Sequence, residues 1–516
     1  MSGGLRVDWR AALALVGRVL RYLSVPLVFP LVLAVVYRDG VTAFAATIVL
    51  TVGVGTALES LSGDGAPDIG AREGFLMVAL TWIAVSAIGA VPYVLAGAGT
   101  GSTLANPVNA LFESMSGFTT TGATVMGDIS VARHGRALML WRQLTQWLGG
   151  MGIVVLAVAI LPELSVGGAQ LMDAEAPGPG IQKLTPRIAE TARALWTAYV
   201  GITALEVALL YGLHLGGLAP DMTLYNAVAH GFTTMATGGF SPEARSIEAF
   251  SALAQWVIVP FMVAAGTNFA LFWHVMTGEP RRLIRDDEFR FYVGIIAVLA
   301  ALATGLLYTD PSLFATENVG RISGDLEASA RHAIFQVVSI VTTTGYASLD
   351  FNGFNEAAKF LLILGMFIGG SAGSTGGAIK IVRWFVIAKT MRRELFTTVH
   401  PDAVEPVRLN GTPLDERAIK GIVAFSLLYL VTFGIGTGLI LIDAERVDLT
   451  LSVLEAASAV AATLGNVGPG IGMVGPMNNY LAFPATSKLL MFGLMWIGRL
   501  EIFPVLVLLT RAYWRT

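Results

Sequence analysis

Long apolar runs alternate with short amphipathic ones along this chain, and the alternation repeats. Two long runs come first, at about 13–37 and 41–61, and each could cross a bilayer as a helix of roughly 20 residues. The order of span, pore helix, polar turn and span then occurs four times, over about 71–161, 190–277, 288–390 and 417–512. This pattern predicts an all-α polytopic membrane protein: a pseudo-fourfold bundle of four such repeats plus two N-terminal helices, with ten spans and four half-spans in all.

The same pattern places the domain boundaries. The leading helices occupy 1–68, and the repeats occupy 69–170, 171–278, 279–395 and 396–516. The segments before the polar turns are too short to span, and they are Val108–Gly117, Leu224–Phe232, Ala328–Ile340 and Leu449–Ala461. They suit re-entrant helices, because backbone at membrane depth can leave the helical conformation only where it lines a cavity.

Each short segment leads into a polar string that ends in glycine, namely Thr119–Gly122, Met235–Gly238, Thr342–Gly345 and Ala462–Gly465. Glycine permits the backbone conformations that turn carbonyls inward, and potassium-channel filters use rings of such carbonyls in place of the ion's hydration shell. A single string is equally explained as a tight turn between helices, but the series favours a monovalent-cation pathway with potassium as the leading substrate. The predicted filter residues, where a potassium ion would bind, are Thr120, Thr121, Gly122, Thr237, Gly238, Thr344, Gly345, Leu464, Gly465 and Asn466.

A second polar feature interrupts the last span of the third repeat. Five glycines in the nine residues of Gly369–Gly377 are too many for a stable helix. A small-residue helix-packing patch is one interpretation, and a phosphate-cradling loop is a weaker one because no Gly-Lys-Ser/Thr follows. We favour an intramembrane gate made of Gly369, Gly370, Ser371, Gly373, Ser374, Thr375, Gly376, Gly377 and Lys380.

Arg499 lies within the otherwise apolar run 489–509, where a charge costs at least ~2.5 kcal/mol. We predict that it faces the pore beside the glycine-rich break, as the second part of the gate; snorkelling to an interface is disfavoured because either end is about ten residues away. Glu501 should point to another face of the same helix. Glu206, in the middle of a span, is either a structural partner or a functional group, and Glu113 is predicted to be structural.

Composition excludes several classes of protein. Of 516 residues, 54% are hydrophobic and 13% charged, whereas a soluble domain carries about 25% charged residues. The net charge of −3 gives no indication of nucleic-acid binding, and the absence of cysteine excludes disulfides and thiolate metal sites. The six histidines show no metal-ligand spacing, so an enzyme is not predicted, nor is a covalent cofactor.

Loop charges predict the orientation in the membrane. Basic residues concentrate between the repeats, at Arg281, Arg282, Arg285, Arg290, Lys380, Arg383, Lys389, Arg392 and Arg393. The loops on the filter side carry more acids, which would raise the local cation concentration at the pore mouth. Both termini are therefore expected in the cytoplasm and the filters outside.

Seven stretches resemble a TrkH-type subunit of the Trk/Ktr/HKT superfamily of potassium uptake proteins. They are Ser116–Thr124, Trp141–Gly152, Glu175–Pro179, Ala236–Ser241, Gly369–Lys380, Gly465–Gly470 and Ile497–Pro504. The likeness extends over essentially the whole chain, and the two leading helices fit the TrkH branch. One departure is Leu464, which precedes Gly465 where the other repeats have threonine.

The resemblance implies potassium uptake across the cytoplasmic membrane of a prokaryote. It implies a filter glycine in each repeat, a gating loop in the third and a pore-facing arginine in the fourth. It also implies a homodimer docked on a cytoplasmic ring of nucleotide-binding regulatory subunits. A proton- or sodium-coupled cation symporter with the same fold is the alternative, since coupled transporters also contain broken helices.

Overall fold

The computed structural model describes residues 7–62, 70–98, 100–159, 188–310 and 319–515. Within these ranges the regular structure is helical apart from one short hairpin. The predicted all-α membrane architecture is confirmed. The resemblance segment Glu175–Pro179 lies outside the described residues.

Two helices, α1 (Trp9–Tyr37) and α2 (Val41–Glu59), precede the repeats and pack against each other. They cross at Gly17 and Gly55, where a Cβ on either residue would collide with the opposite backbone. Small residues at such crossings let helices approach closely within a membrane. Helix α1 also packs against the first repeat, so the pair braces one side of the bundle.

The first repeat contains α3 (Ala71–Gly97), α4 (Pro107–Phe118), α5 (Val131–His134) and α6 (Arg136–Ala159). The second contains α7 (Ile188–Leu215), α8 (Leu224–Met235), α9 (Ala252–Ala265) and α10 (Phe269–Met276). The third contains α11 (Arg281–Arg285), α12 (Asp287–Thr309), α13 (Leu326–Val341), α14 (Glu356–Gly365) and α15 (Ile381–Val399). The hairpin β1 (Arg408–Leu409) and β2 (Thr412–Pro413) follows, and the fourth repeat contains α16 (Glu416–Arg446), α17 (Val453–Leu464), α18 (Ala485–Arg499), α19 (Phe503–Leu508) and α20 (Arg511–Arg515).

Four short helices, α4, α8, α13 and α17, are the pore helices. Each starts at a residue whose side chain accepts a backbone N–H of the first turn: Asn106, Thr223, Asp325 and Ser452. This capping satisfies donors that would otherwise be unpaired at membrane depth. The fourth pore helix begins at Val453 rather than at the predicted Leu449, because the Ser452 cap fixes its start.

Among the described residues, six helices are long and apolar enough to cross a membrane, and one bent pair could form a seventh span. The predicted spans that are missing from this set are the four that close the repeats. The sequence indicated an interruption only in the third repeat, yet α9 and α10 bend by 101°, and α18 and α19 are also separated. Asn268 caps the restarted helix α10, and Pro504 stands in the first turn of α19, so both breaks have local causes.

Candidate functional site

After each pore helix the chain makes the same turn. The first residue of left-handed backbone is Thr120 (φ 53°), Thr237 (φ 50°), Thr343 (φ 59°) or Asn466 (φ 53°). Two positions later comes a glycine of positive φ: Gly122 (83°), Gly239 (74°), Gly345 (78°) or Gly468 (99°). Left-handed backbone is rare for β-branched residues such as threonine and strained by about 1–3 kcal/mol. Its occurrence in three of the four turns marks them as a constrained site.

These four glycines form a closed ring with the backbone of neighbouring repeats. Each lies so close to a carbonyl oxygen of the next repeat that an added Cβ would approach it to less than 3.0 Å. In chain order the pairs are Gly122 and Gly238 O, Gly239 and Thr344 O, Gly345 and Val467 O, and Gly468 and Thr121 O. The fourth repeat thus meets the first, and the four turns surround one axis in sequence order.

The ring corrects the register of the predicted strings. Gly122 and Gly345 stand where the sequence placed them, but the equivalent glycines of the other repeats are Gly239 and Gly468 rather than Gly238 and Gly465. Gly465 has an ordinary right-handed conformation and Leu464 is the last residue of α17. The sequence pattern common to the four turns is a threonine or asparagine followed two residues later by glycine. In the fourth repeat, Asn466 rather than Leu464 occupies the position of the threonine.

One hydrogen bond at the end of each pore helix fixes the turn. The residue before each ring glycine donates its N–H to a carbonyl five residues back: Thr121 to Ser116 (2.8 Å), Gly238 to Thr233 (2.9 Å), Thr344 to Ser339 (2.8 Å) and Val467 to Ala462 (2.8 Å). The carbonyl ends of the four pore-helix dipoles are therefore held beside the ring. Such helix ends favour a cation.

Buried side chains of α6 support the turn of the second repeat. Gln146 donates from Nε2 to the carbonyl of Gly238 (2.6 Å) and accepts the N–H of Phe240 (3.0 Å). Arg142 donates to the carbonyl of Ser241 (3.0 Å) and pairs through Nε with Glu113 Oε1 (2.6 Å). The sequence did not identify either residue as a support of this turn, because the role depends on contacts between the first repeat and the second.

Glu113 is buried on the pore helix α4 and has the structural surroundings expected of it. Besides Arg142, its carboxylate accepts bonds from Thr124 Oγ1 (2.9 Å) and the N–H of Val125 (2.9 Å). The chain leaving the first filter turn is thus tied back to the helix that precedes it.

On one side of the ring lies a cavity of about 180 Å³ whose lining includes all four ring glycines. Asp128 and Glu243 also line it. We call this cavity the vestibule. Cations would be concentrated there by a negative potential.

The opposite side of the ring is covered by residues 366–380, which connect α14 to α15 and which we call the loop. The loop fits into the break of the second repeat: Ser371 donates its N–H to Gly266 O (2.8 Å), and Phe269 donates to Gly373 O (3.1 Å). Thr375 donates from Oγ1 to the carbonyls of Met235 (3.1 Å) and Ala265 (3.1 Å). The two broken spans complete each other's backbone hydrogen bonding.

The loop also contacts the turns that follow the pore helices. Gly377 donates its N–H to Thr343 Oγ1 (2.8 Å), and Ala378 donates to Gly465 O (2.9 Å). Thr237 Oγ1 donates to Thr375 Oγ1 (3.2 Å). The loop is thus bonded to the turns of the second, third and fourth repeats.

Arg499 connects this loop to the remaining repeat. It is 3% exposed and donates to Thr375 O (2.8 Å) and more weakly to Gly149 O of α6 (3.4 Å). Glu501 points elsewhere and pairs with Arg383 of α15, and Lys380 donates to Gly376 O. The structure thus brings Arg499, Lys380 and the glycine-rich segment together under the ring.

The two sides of the ring base differ. Thr237 and Thr343 are engaged by the loop, whereas Thr120 Oγ1 and Asn466 Oδ1 are buried without a hydrogen-bond partner among the described residues. The side-chain oxygens without a described partner thus belong to the first and fourth repeats. Glu206 is not among the residues at the base of the ring, because it is buried beside Thr234 of the second pore helix.

Comparison with known proteins gives a consistent result along the whole chain. A family model described as TrkH, cation transport protein, matches residues 40–515. The Trk system potassium uptake protein TrkH of Halomonas elongata is 38% identical over 512 residues, covering 98% of this chain and 99% of that protein. Its namesake in Escherichia coli K12 is 36% identical over 513 residues, covering 99% and 100%. The crystal structure of the potassium transporter TrkH from Vibrio parahaemolyticus matches with a TM-score of 0.84 and 32% identity, covering 99% of this chain and 100% of that one.

Proposed function

Because this chain belongs to the TrkH family of cation transport proteins, we propose that it takes up potassium across the cytoplasmic membrane through a channel-like pore. The observation that carries the proposal is the closed ring of Gly122, Gly239, Gly345 and Gly468. Four turns of one chain surround one axis there, and each ring glycine packs directly on a backbone carbonyl of a neighbouring repeat. The names of its relatives, which are potassium uptake proteins, support the choice of ion.

Potassium would bind at the turns as a dehydrated ion. Backbone carbonyls at the turns replace its water, and the carbonyl ends of four pore helices add a negative potential. The vestibule carboxylates Asp128 and Glu243 supply the ion from outside. Below the ring, Thr120 and Asn466 offer side-chain oxygens to an ion that is regaining water.

The loop and Arg499 act as the gate. In the conformation described, the loop is bonded to three turns, and the guanidinium of Arg499 places a positive charge beside the path. A cation in a low-dielectric passage is repelled by such a charge far more strongly than in water. Movement of the loop out of the axis, together with Arg499, opens the pore.

The basic segments lie on the cytoplasmic face in this proposal, and a regulatory subunit binds there to a homodimer. Positive residues on that side of the spans support the orientation, and the Trk system names of the relatives support assembly with further components.

The test is ion flux into proteoliposomes that contain only the purified chain. We expect rubidium and potassium to enter much faster than sodium, and we expect the same rate with and without a pH gradient. Equal rubidium and sodium flux would overturn the filter assignment. A rate that follows the pH or sodium gradient would instead favour a coupled symporter.

A further inference from the structure

Ala372, in the middle of the loop, is held from two directions, by the start of α12 and by the hairpin. Its N–H donates to Glu288 Oε1 (2.8 Å), at the start of α12. Its side chain packs in a small apolar cluster with Val382 of α15 and Leu409 of the hairpin. Glu288 is 3% exposed and Leu409 is 2% exposed, so both contacts are shielded from water.

The hairpin that supplies Leu409 has a defined shape. Arg408 pairs with Pro413 and Leu409 with Thr412, and the two-residue turn between the strands has φ of 48° at Asn410 and 81° at Gly411. An Asn-Gly turn of this kind is strongly favoured in two-residue hairpins. Leu409 therefore points inward in a fixed register, while Thr412 is exposed on the other strand.

Asn410 clamps the tip of the hairpin to the start of α12. It accepts the N–H of Asp287 (2.8 Å), donates its own N–H to Asp287 Oδ2 (2.9 Å) and donates from Nδ2 to Asp286 Oδ2 (2.9 Å). Glu288, which holds Ala372, is the next residue along the chain. A displacement of the hairpin would therefore reach Ala372 by both routes, through Leu409 directly and through α12.

We propose that the hairpin, residues 407–414, sets the position of the gate, with Glu288 as the positioning residue that keeps the loop closed. This inference rests on the gating role given to the loop in the proposed function. The hairpin connects α15 to α16 beside the basic residue Lys389, which donates to Arg408 O (2.7 Å). A soluble partner that moves the hairpin would shift Ala372 without contacting the pore.

The experiment uses a reporter cysteine, since the chain has none of its own. In a Ser374→Cys parent, the rate of labelling by a charged thiol reagent reports the exposure of the loop, and rubidium influx into proteoliposomes reports the open pore. Leu409→Ala and Glu288→Gln are compared with Thr412→Ala, the matched control at an exposed position of the same hairpin.

We expect Leu409→Ala to raise both rates by at least about tenfold, because a buried leucine contributes at least that factor to a closed state. Glu288→Gln should raise them by about fivefold, because the amide oxygen still accepts the Ala372 N–H but lacks the negative charge that strengthens the bond. Thr412→Ala should match the parent, and the rubidium-to-sodium ratio should stay constant throughout. If Leu409→Ala yields aggregated protein, Glu288→Gln, which preserves packing, decides the outcome.

Two results separate this inference from the proposed function. If shortening the loop raises influx but Glu288→Gln and Leu409→Ala leave labelling unchanged, the hairpin does not position the gate, although the gate itself stands. If shortening the loop leaves influx unchanged while both variants raise labelling, the mechanical connection stands and the gating role is wrong.

Discussion

Asn466 donates a hydrogen bond from Nδ2 to Oγ1 of Thr121 (2.9 Å), joining the last filter turn of the chain to the first. The same amide group donates to Met495 O (3.0 Å) of α18. Asparagine tolerates left-handed backbone better than most residues, and its amide can make both bonds at once, which threonine cannot. The fourth repeat has asparagine where the other three have threonine, and this asparagine links the fourth turn to the first.

We expect Asn466→Ala to weaken ion selectivity while the protein still folds. The alanine loses both bonds and costs about 1–2 kcal/mol in left-handed backbone, so the fourth turn becomes mobile. The potassium-to-sodium flux ratio should fall by about tenfold. Asn479→Ala, a change at the vestibule wall, is the control and should keep the ratio of the unmodified chain.

The corrected register of the ring makes a sharper prediction. A Cβ on Gly239 would collide with Thr344 O at positive φ, whereas the nearest atoms to a Cβ on Gly238 belong to the side chain of Gln146. Gly239→Ala should therefore reduce rubidium influx or its preference over sodium by at least about tenfold, because backbone cannot give way as a side chain can. Gly238→Ala should have a smaller effect. The opposite order of severity in flux assays would restore the register inferred from sequence.

These two cases show how far the sequence could lead. Hydropathy and the recurrence of one motif predicted the four repeats, the pore helices and the glycine-rich break, because each leaves a local pattern. The equivalence of Asn466 with Thr120 depends on backbone angles, and glycine occurs at both Gly238 and Gly239, so the strings could be aligned in more than one way. The contacts of the loop with Gly266 and Gly465 join the third repeat to the second and the fourth, and they have no local signature.

The same limit applies to the ion pair between Glu113 and Arg142, which are 0% and 1% exposed. Glu113→Gln would leave the arginine charge buried without its counter-ion, and breaking such a pair costs about 3–5 kcal/mol. We expect a clear fall in the midpoint of thermal unfolding in detergent. Asp128→Asn, which removes a solvent-exposed pair with Arg133, should change the midpoint little. Equal shifts for the two variants would argue against the bracing role of the buried pair.

The basic end of α15 bears on the proposed regulatory partner. Arg393 is paired with Glu416 and Glu394, but Arg392 is exposed and no pair with it is described. Arg392→Glu should therefore weaken co-purification with a soluble partner without disturbing α15, whereas Arg393→Ala would also loosen α15 from α16. If Arg392→Glu leaves recovery of the partner unchanged, the basic segment serves only to orient the chain in the membrane.

Arg499 provides the most direct test of the gate. Its bonds to Thr375 O and Gly149 O hold the loop against the first repeat, and in the proposed function its charge lies beside the path of the ion. Arg499→Ala removes both the bonds and the charge, so rubidium influx should rise several-fold, and the rubidium-to-sodium ratio should not change because the ring is intact. Arg499→Lys keeps the positive charge, but lysine lacks the planar guanidinium group whose two nitrogens reach Thr375 O and Gly149 O. If the influx of Arg499→Lys lies between those of Arg499→Ala and the unmodified chain, both the charge and the hydrogen bonds keep the pore closed. If it equals the influx of Arg499→Ala, the hydrogen bonds alone keep it closed. If either variant loses selectivity at an unchanged rate, Arg499 supports the filter and the gate lies elsewhere.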